Sequence, residues 1–542
     1  MHGRVKVRTS EEEKARKEKE RQEKLKIFKN VMQKIQFKRN EGELDQELLE
    51  LTGNVLTSNP DIYTLWNIRR EIIIIYKKDV KMKENMSKLY DSELQLTEYC
   101  LKINPKSYGS WHQREWVLTM RPDPDWKTEL SLCNKYLKLD ERNFHTWDYR
   151  RFVINQCQPA LKEEFDFTTE KLFDNFSNYS AWHYRSKMLV KLYPDVEGGR
   201  PIEDSHHKHE LKMVQSAAFT DPDDTSAWFY QRWLLGAVKN SVDLVVSSVT
   251  TSKSFLTFSQ YVSKEFVKSK VQIFINKTLV TPDWSSCTGN HYDKLWLFKH
   301  NVSIEAGMDI KVEFDKENGQ KQIVSCVPAE TLTYVGKGNI NFQKYYSEPV
   351  LKELKDQLES CRQLLAMEPD NKWTLLTTTI FLNCIDAKLY HNEVIDNLKT
   401  LQSIDKLRTG YYEDLKTRWC IENQLYRDYE SNDLVYRVSF DDKITCLPHL
   451  QYYSHCEKVD LTNQNLTTKV LPSLILLQNC KVGDKGVRQA RCECRSFVLC
   501  LHPYSRLPVF ALYDTLCSLL ICDLLTNFAF FTDFECDYDL VL

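Results

Sequence analysis

NPDIYTLWNIRR at residues 59–70 is written five times in this chain. The copies are NPKSYGSWHQR from Asn104, DERNFHTWDYRR from Asp140, NFSNYSAWHYR from Asn175 and DPDDTSAWFYQR from Asp221. In each, an Asn or Asp stands seven residues before a Trp: Trp66, Trp111, Trp147, Trp182 and Trp228. Arg69, Arg114, Arg150 and Arg185 follow their Trp by three positions, and in the fifth copy the Arg slips to Arg232. The Trp residues are spaced by 45, 36, 35 and 46 residues. A period of this size describes a stack of two-helix units, none able to bury its apolar face without neighbours.

The motif suits the joint inside such a unit. Asn or Asp, often with Pro behind it, ends one helix and begins a turn. The Trp then opens the second helix as a core anchor, with the Arg one turn further along nearly the same face. Packing is the expected role of every Trp. For the Arg residues two roles stand open: partners between successive units, or a positive rim facing an anion. A shorter sixth copy, EPDNKWTLL, carries Glu368, Pro369 and Trp373, so the array pauses for over a hundred residues and resumes.

The 542 residues supply three or four domains, and a net charge of −2 leaves no footprint for nucleic acid or anionic membrane. The opening MHGRVKVRTSEEEKARKEKERQEK has no apolar core of a signal peptide. The seventeen Cys are scattered, without metal-ligand spacing before residue 480, and read as reduced thiols of a cytoplasmic protein.

Residues 1–238 hold an N-terminal helix and the five repeats. In the helix, Leu25, Phe28, Val31 and Ile35 form a stripe expected to pack on the array. Residues 239–346 read as an inserted, immunoglobulin-like antiparallel β-sandwich. Its runs are VQIFIN at 271–276, LWLFK at 295–299, IKVEF at 310–314 and IVSCV at 323–327, with a hairpin turn at Asn318-Gly319. Residues 347–432 return to helix around the sixth copy. Residues 433–482 look like leucine-rich repeats: VDLTNQNL at 459–466 fits the consensus except for Gln464, and Val482 falls 23 residues after Val459. There the pattern is expected to break off. Residues 483–542 read as an atypical tail foreign to the repeat; its Cys492 and Cys494 form a single C-x-C that is weak as a metal signal, and Asp514 and Asp523 interrupt its apolar run.

The repeated lines resemble those of protein prenyltransferase alpha subunits. The added sandwich and leucine-rich repeats resemble the branch of that family that acts on Rab GTPases. The resemblance implies a mainly α fold, a right-handed superhelix of helical-hairpin prenyltransferase alpha repeats, with an inserted antiparallel β-sandwich and a truncated C-terminal leucine-rich repeat region. It also implies a heterodimer in which a beta subunit, not this chain, binds zinc and geranylgeranyl diphosphate. The implied reaction moves geranylgeranyl groups to C-terminal Cys thiolates of Rab GTPases presented by a Rab escort protein. Family alpha subunits offer a Lys and a Tyr ahead of a repeat Trp to the diphosphate. The matching positions here are Lys106 and Tyr108, with Arg142 beside Phe144 in the next copy. Arg114, Arg150, Tyr179, His183 and Arg185 are expected at the subunit interface. No metal site is expected in this chain, although His2 offers an N-terminal imidazole as an inhibitory ligand to the partner's zinc. The competing reading is a non-catalytic helical scaffold that binds proteins through its sandwich and leucine-rich repeats.

Overall fold

The computed structural model describes residues 11–482, except 197–199, 239–240, 252–253, 318, 331, 431–433, 462–463, 467–473, 475 and 478–480. His2 and the tail from residue 483, with Cys492 and Cys494, lie outside the described residues. The chain divides into two compact units, residues 1–192 and 193–542.

The first unit is a long helix followed by four helical hairpins. The helix α1 (Glu11–Asn40) leads into α2 (Gln46–Leu56) and α3 (Tyr63–Lys78), then α4 (Met86–Ile103) and α5 (Tyr108–Met120). The third pair is α6 (Trp126–Leu139) and α7 (Phe144–Cys157), and the fourth is α8 (Leu161–Asp174) and α9 (Tyr179–Leu192). The stripe on α1 packs only at one end. Ile35 is buried with Leu48, Leu49 and Leu56, and Val31 leans on that cluster, whereas Leu25 and Phe28 stay exposed. Among the described residues the charged first half of the helix has no neighbour to bury them.

Motif side chains cap the second helices α5 and α7. The Ser107 hydroxyl accepts from Ser110 N–H ahead of α5, and Asn143 Oδ1 accepts from His145 N–H ahead of α7. All four Trp of this unit's motifs are buried, as expected of core anchors.

The second unit begins with the fifth hairpin, α10 (Asp204–Thr220) and α11 (Thr225–Gly236). Nine strands follow: β1 (Leu244–Thr250), β2 (Ser254–Ser263), β3 (Val271–Ile275), β4 (Thr278–Val280), β5 (Asp283–Ser286), β6 (Tyr292–Lys299), β7 (Ile310–Asp315), β8 (Lys321–Glu330) and β9 (Thr333–Lys337). A short α12 (Lys264–Lys270) joins β2 to β3. The strands form one antiparallel sheet in the order β4-β3-β7-β8-β9-β1-β2-β6-β5. The two expected layers are therefore continuous. β8 is the shared strand, pairing with β7 through Ile310–Cys326 and with β9 through Val327–Val335, and the sheet curls over a core that includes Phe258, Trp296, Phe314 and Tyr334. The β7–β8 hairpin turns at Gly319, whose φ of +79° is open to glycine without strain.

The sheet is covered on its other face. Val245, Phe255, Leu295 and Val335 share a core cluster with Ile421, Leu425, Leu450 and Tyr453 from the segments that follow. Burial on both faces removes alternation from β1, which is buried almost throughout, and from the first half of β2. That is why those strands leave no period-two signal.

Two hairpins come next: α13 (Glu348–Met367) with α14 (Lys372–Asp386), and α15 (His391–Ile404) with α16 (Thr409–Glu430). The second keeps the motif spacing without a Trp. Asp405 stands seven residues before Tyr412, which is fully buried and donates its hydroxyl to Asp405 at 2.8 Å. The chain ends its described part in three parallel strands, β10 (Arg437–Ser439), β11 (Lys458–Asp460) and β12 (Lys481–Val482). Val438, Val459 and Val482 share one register. The strand at Val482 thus forms before the sequence leaves the repeat, which corrects the expected break there. Gln464 fills the consensus Asn position by accepting from Ile444 N–H at 2.8 Å. Among the described residues no helix is long and apolar enough to cross a membrane.

Candidate functional site

The four Trp motifs of the first unit lock their turns into a row. Trp66 Nε1 donates to Pro60 O at 2.8 Å, Trp111 to Pro105 O at 2.9 Å, Trp147 to Glu141 O at 2.8 Å and Trp182 to Phe176 O at 2.8 Å. The next turn supplies a second donor to three of these carbonyls. Ser107 Oγ reaches Pro60 O at 3.3 Å, Asn143 Nδ2 reaches Pro105 O at 3.0 Å, and Asn178 Nδ2 reaches Glu141 O at 3.0 Å. Each of these turns is thus fastened to its own helix and to its successor.

Close contact between turns leaves no room at Gly109, where a Cβ would sit 2.7 Å from Trp66 Nε1 and 3.1 Å from Pro60 O. Gly109→Ala is expected to cost about 1–3 kcal/mol as overpacking, read as a lower thermal midpoint of the full chain. An unchanged midpoint would show that the turns can part without loss.

The Arg residues do not form a rim. Arg69, Arg114, Arg150 and Arg185 are buried to within a few per cent, because each fastens neighbouring helices. Arg114 makes two 2.7 Å bonds to Glu129 of α6 and also donates to Leu94 O and Thr97 Oγ1 of α4. Arg150 holds Glu164 of α8 at 3.0 and 2.5 Å and Asn134 of α6 at 2.7 Å. Arg69 pairs with Glu93 of α4 and bonds Thr52 of α2. Arg185 donates to Thr168 and Thr169 of α8 and lies 3.8 Å from the Phe165 ring centroid. Arg114, Arg150 and Arg185 were expected at a subunit interface; they are internal staples with no surface to offer.

The row of turns brings the other candidates together. Lys106 is exposed, with its Nζ 3.5 Å from Asp140 Oδ2 of the following turn, and Arg142 N–H donates to Asp140 Oδ1 at 3.2 Å. The Arg142 side chain is exposed and has no partner among the described residues. Tyr108 is half exposed. Its ring meets the edge of His145 at 4.2 Å and stands 6.1 Å from Phe144. Tyr179 and His183 stack in parallel with centroids 6.1 Å apart. Burial, with Lys187 and Arg151 adding, pushes the His183 imidazole down to about 4, so it is neutral near pH 7.

His145 was not singled out from the sequence. It is buried under Tyr108 and Phe144, and burial followed by the neighbouring Lys106 holds its imidazole below the ordinary histidine range. The only signal for it was its place: a ring where the other copies have Thr64, Gly109, Ser180 and Ser226. Lys106, Arg142, Tyr108 and neutral His145 lie on adjacent turns with the Asp140 carboxylate beside Lys106, and exposed cationic and phenolic donors are the kind that hold phosphate oxygens. Among the described residues no cluster of His, Cys, Asp and Glu has the form of a metal site.

The family profile described as "Protein prenyltransferase alpha subunit repeat" matches residues 45–74, 90–121, 126–157, 161–192 and 207–238. The geranylgeranyl transferase type-2 subunit alpha of Sus scrofa is 36% identical over 498 residues, covering 89% of this chain and 86% of its own length. That of Homo sapiens is 37% identical over 510 residues, 90% of this chain and 88% of its own. That of Saccharomyces cerevisiae is 28% identical over 340 residues, which are 61% of this chain but 96% of its own length. By these matches and by the stapled hairpins that the repeat builds, this chain belongs to the family of geranylgeranyl transferase type-2 alpha subunits.

Proposed function

We propose that this chain is the alpha subunit of a heterodimeric protein geranylgeranyltransferase. A beta subunit completes the enzyme, which carries geranylgeranyl groups from geranylgeranyl diphosphate to C-terminal Cys residues of Rab GTPases presented by a Rab escort protein. The observation that carries this reading is the name shared by relatives that match nearly nine-tenths of the chain. It favours the transferase over a non-catalytic scaffold. The yeast relative of the same name is spanned by three-fifths of this chain, which supports reading the curled sheet and the leucine-rich repeats as additions to a shared helical core.

In this reading Lys106, Tyr108 and Arg142 face the diphosphate. Negative charge grows on the leaving oxygen as the bond to the isoprenoid breaks, and fixed cationic and phenolic donors stabilise that charge more than they stabilise the bound substrate. Neutral His145 keeps the Tyr108 ring in place without adding charge. Zinc, held by the beta subunit, keeps the acceptor thiol deprotonated and positioned. Tyr63, Tyr108 and Tyr179, each three residues ahead of a motif Trp, remain exposed and give the beta subunit an aromatic surface to cover.

The test is reconstitution. The purified chain is expected to transfer no geranylgeranyl group, and co-expression with a prenyltransferase beta subunit is expected to yield a 1:1 complex with zinc-dependent transfer to a Rab C-terminus. Zinc-dependent transfer by the single chain, or failure to form the complex with any such beta subunit, overturns the assignment.

A further inference from the structure

Trp373, the sixth-copy tryptophan on α14, is ringed by cations. The Arg408 guanidinium stands 4.6 Å from its ring centroid, that of Arg232 on α11 5.2 Å, and Lys372 Nζ 5.6 Å. Arg232 also lies 5.1 Å from the Phe229 centroid. Among the described residues one carboxylate, Asp405, faces these cations, and it is already engaged. It accepts from Arg408 Nη1 and from the Tyr412 hydroxyl, each at 2.8 Å.

Arg232 is left without an acceptor. Its Nε and Nη2 are sealed from solvent and reach no acceptor among the described residues. The first copy shows what is missing. Its equivalent, Arg70, four residues after Trp66, donates to Gln113 Oε1 at 2.8 Å and lies over Trp116. The residue matching Gln113, two past the tryptophan of the next copy, is here Leu375, whose side chain accepts nothing. Guanidinium nitrogens shut from water without acceptors are costly, and the group does not shed its proton to escape.

We infer that Arg232 and Arg408, set against Trp373, form a binding site for an oxyanion of the carboxylate or phosphate class. The planar donors of Arg232 suit two acceptor oxygens at once, and Phe229 and Trp373 hold its guanidinium flat. The oxyanion arrives either as a free phosphate-class ion or as an acidic side chain of a partner chain.

The test uses the full chain labelled with 5-fluorotryptophan, with the Trp373 fluorine resonance assigned from Trp373→Phe. Inorganic phosphate is titrated against chloride at constant ionic strength. The Trp373 resonance is expected to shift saturably with phosphate and not with chloride. In Arg232→Met that shift is expected to vanish, while the thermal midpoint in phosphate-free buffer holds or rises, because an unpaired charge has been removed. No phosphate response in the wild-type chain, or an equal one in Arg232→Met, overturns the site. So does a lower midpoint for Arg232→Met without phosphate, since Arg232 would then already have its acceptor. A second arm repeats the titration on the heterodimer with the beta subunit. Loss of the response there assigns the oxyanion to a partner side chain, and its survival assigns it to a free ion. The first arm needs no beta subunit and stands whether or not the transferase reading does.

Discussion

Arg150→Ala is expected to destabilise the helical array by about 3–5 kcal/mol, the range for breaking a buried ion pair from one side. The loss exceeds that of a surface pair because Glu164 would remain buried with its charge uncompensated. Asn134 would lose its donor as well, and the Phe167 ring would lose the guanidinium held 3.6 Å from its centroid. Replacing both partners, Arg150→Met with Glu164→Leu, is expected to cost far less, since no charge is stranded. Calorimetry on the two variants, on Arg150→Met and on Glu164→Leu closes the cycle. If the double variant is no more stable than either single one, Arg150 acts through something other than Glu164. Arg142→Ala serves as the control, because its side chain is exposed and unpartnered among the described residues, so the midpoint should not move.

Lys106→Ala is expected to lower kcat of the reconstituted heterodimer by roughly 10- to 1000-fold, the scale of losing one preorganised donor to a developing charge. Affinity for geranylgeranyl diphosphate should change little, because the ammonium acts chiefly as charge moves onto the leaving oxygen. Stability should also hold. The ion pair lost is the one with Asp140, both of whose partners are largely exposed, and such pairs contribute about 0–1 kcal/mol. Tyr108→Phe should show a smaller fall, as a neutral hydroxyl stabilises charge less than a cation does. Single-turnover transfer separates the step from product release. An unchanged rate in Lys106→Ala would return Lys106 and Tyr108 to the scaffold and leave Arg142 as the candidate from this chain.

The array was legible because its signal is covalent spacing: Asn or Asp, then Trp seven residues on, marks every turn from Asn59 to Asp221. The role of the Arg residues is legible too, in a second repeated line. Glu93, Glu129, Glu164 and Glu210 each stand 18 residues before a motif Trp, and all four are buried. A carboxylate repeating at the period of a cation is its counter-charge, so no spare charge was left for a rim. The seventh hairpin hid because Tyr412 replaces the Trp. The sheet was legible in part: β3 and β7 alternate, whereas β1 and the first half of β2, covered on both faces, carry no period. The site is harder, since Lys106 and Asp140 meet only when two turns stack, and single-repeat text holds no trace of that contact. His145 shows the same limit.

The staple changes chemistry at the fifth hairpin, and the change bears on how the chain is made. Arg69, Arg114 and Arg150 meet their Glu within 24, 15 and 14 residues, whereas Gln231 meets Gln357 at 3.0 Å across 126 residues, with the whole sheet between them. At the usual pace of synthesis, about 5–20 residues per second, the partner of Gln231 leaves the ribosome roughly 6–25 seconds after it. A charged staple would spend that interval beside a half-built core without its counter-ion. An uncharged amide can wait in water at little cost and close when the late helix arrives. A neutral staple therefore suits the one junction that the sheet interrupts. Making the staple charged, by Gln231→Arg together with Gln357→Glu, should therefore slow maturation in a ribosome-release assay, even where the finished fold is equally stable.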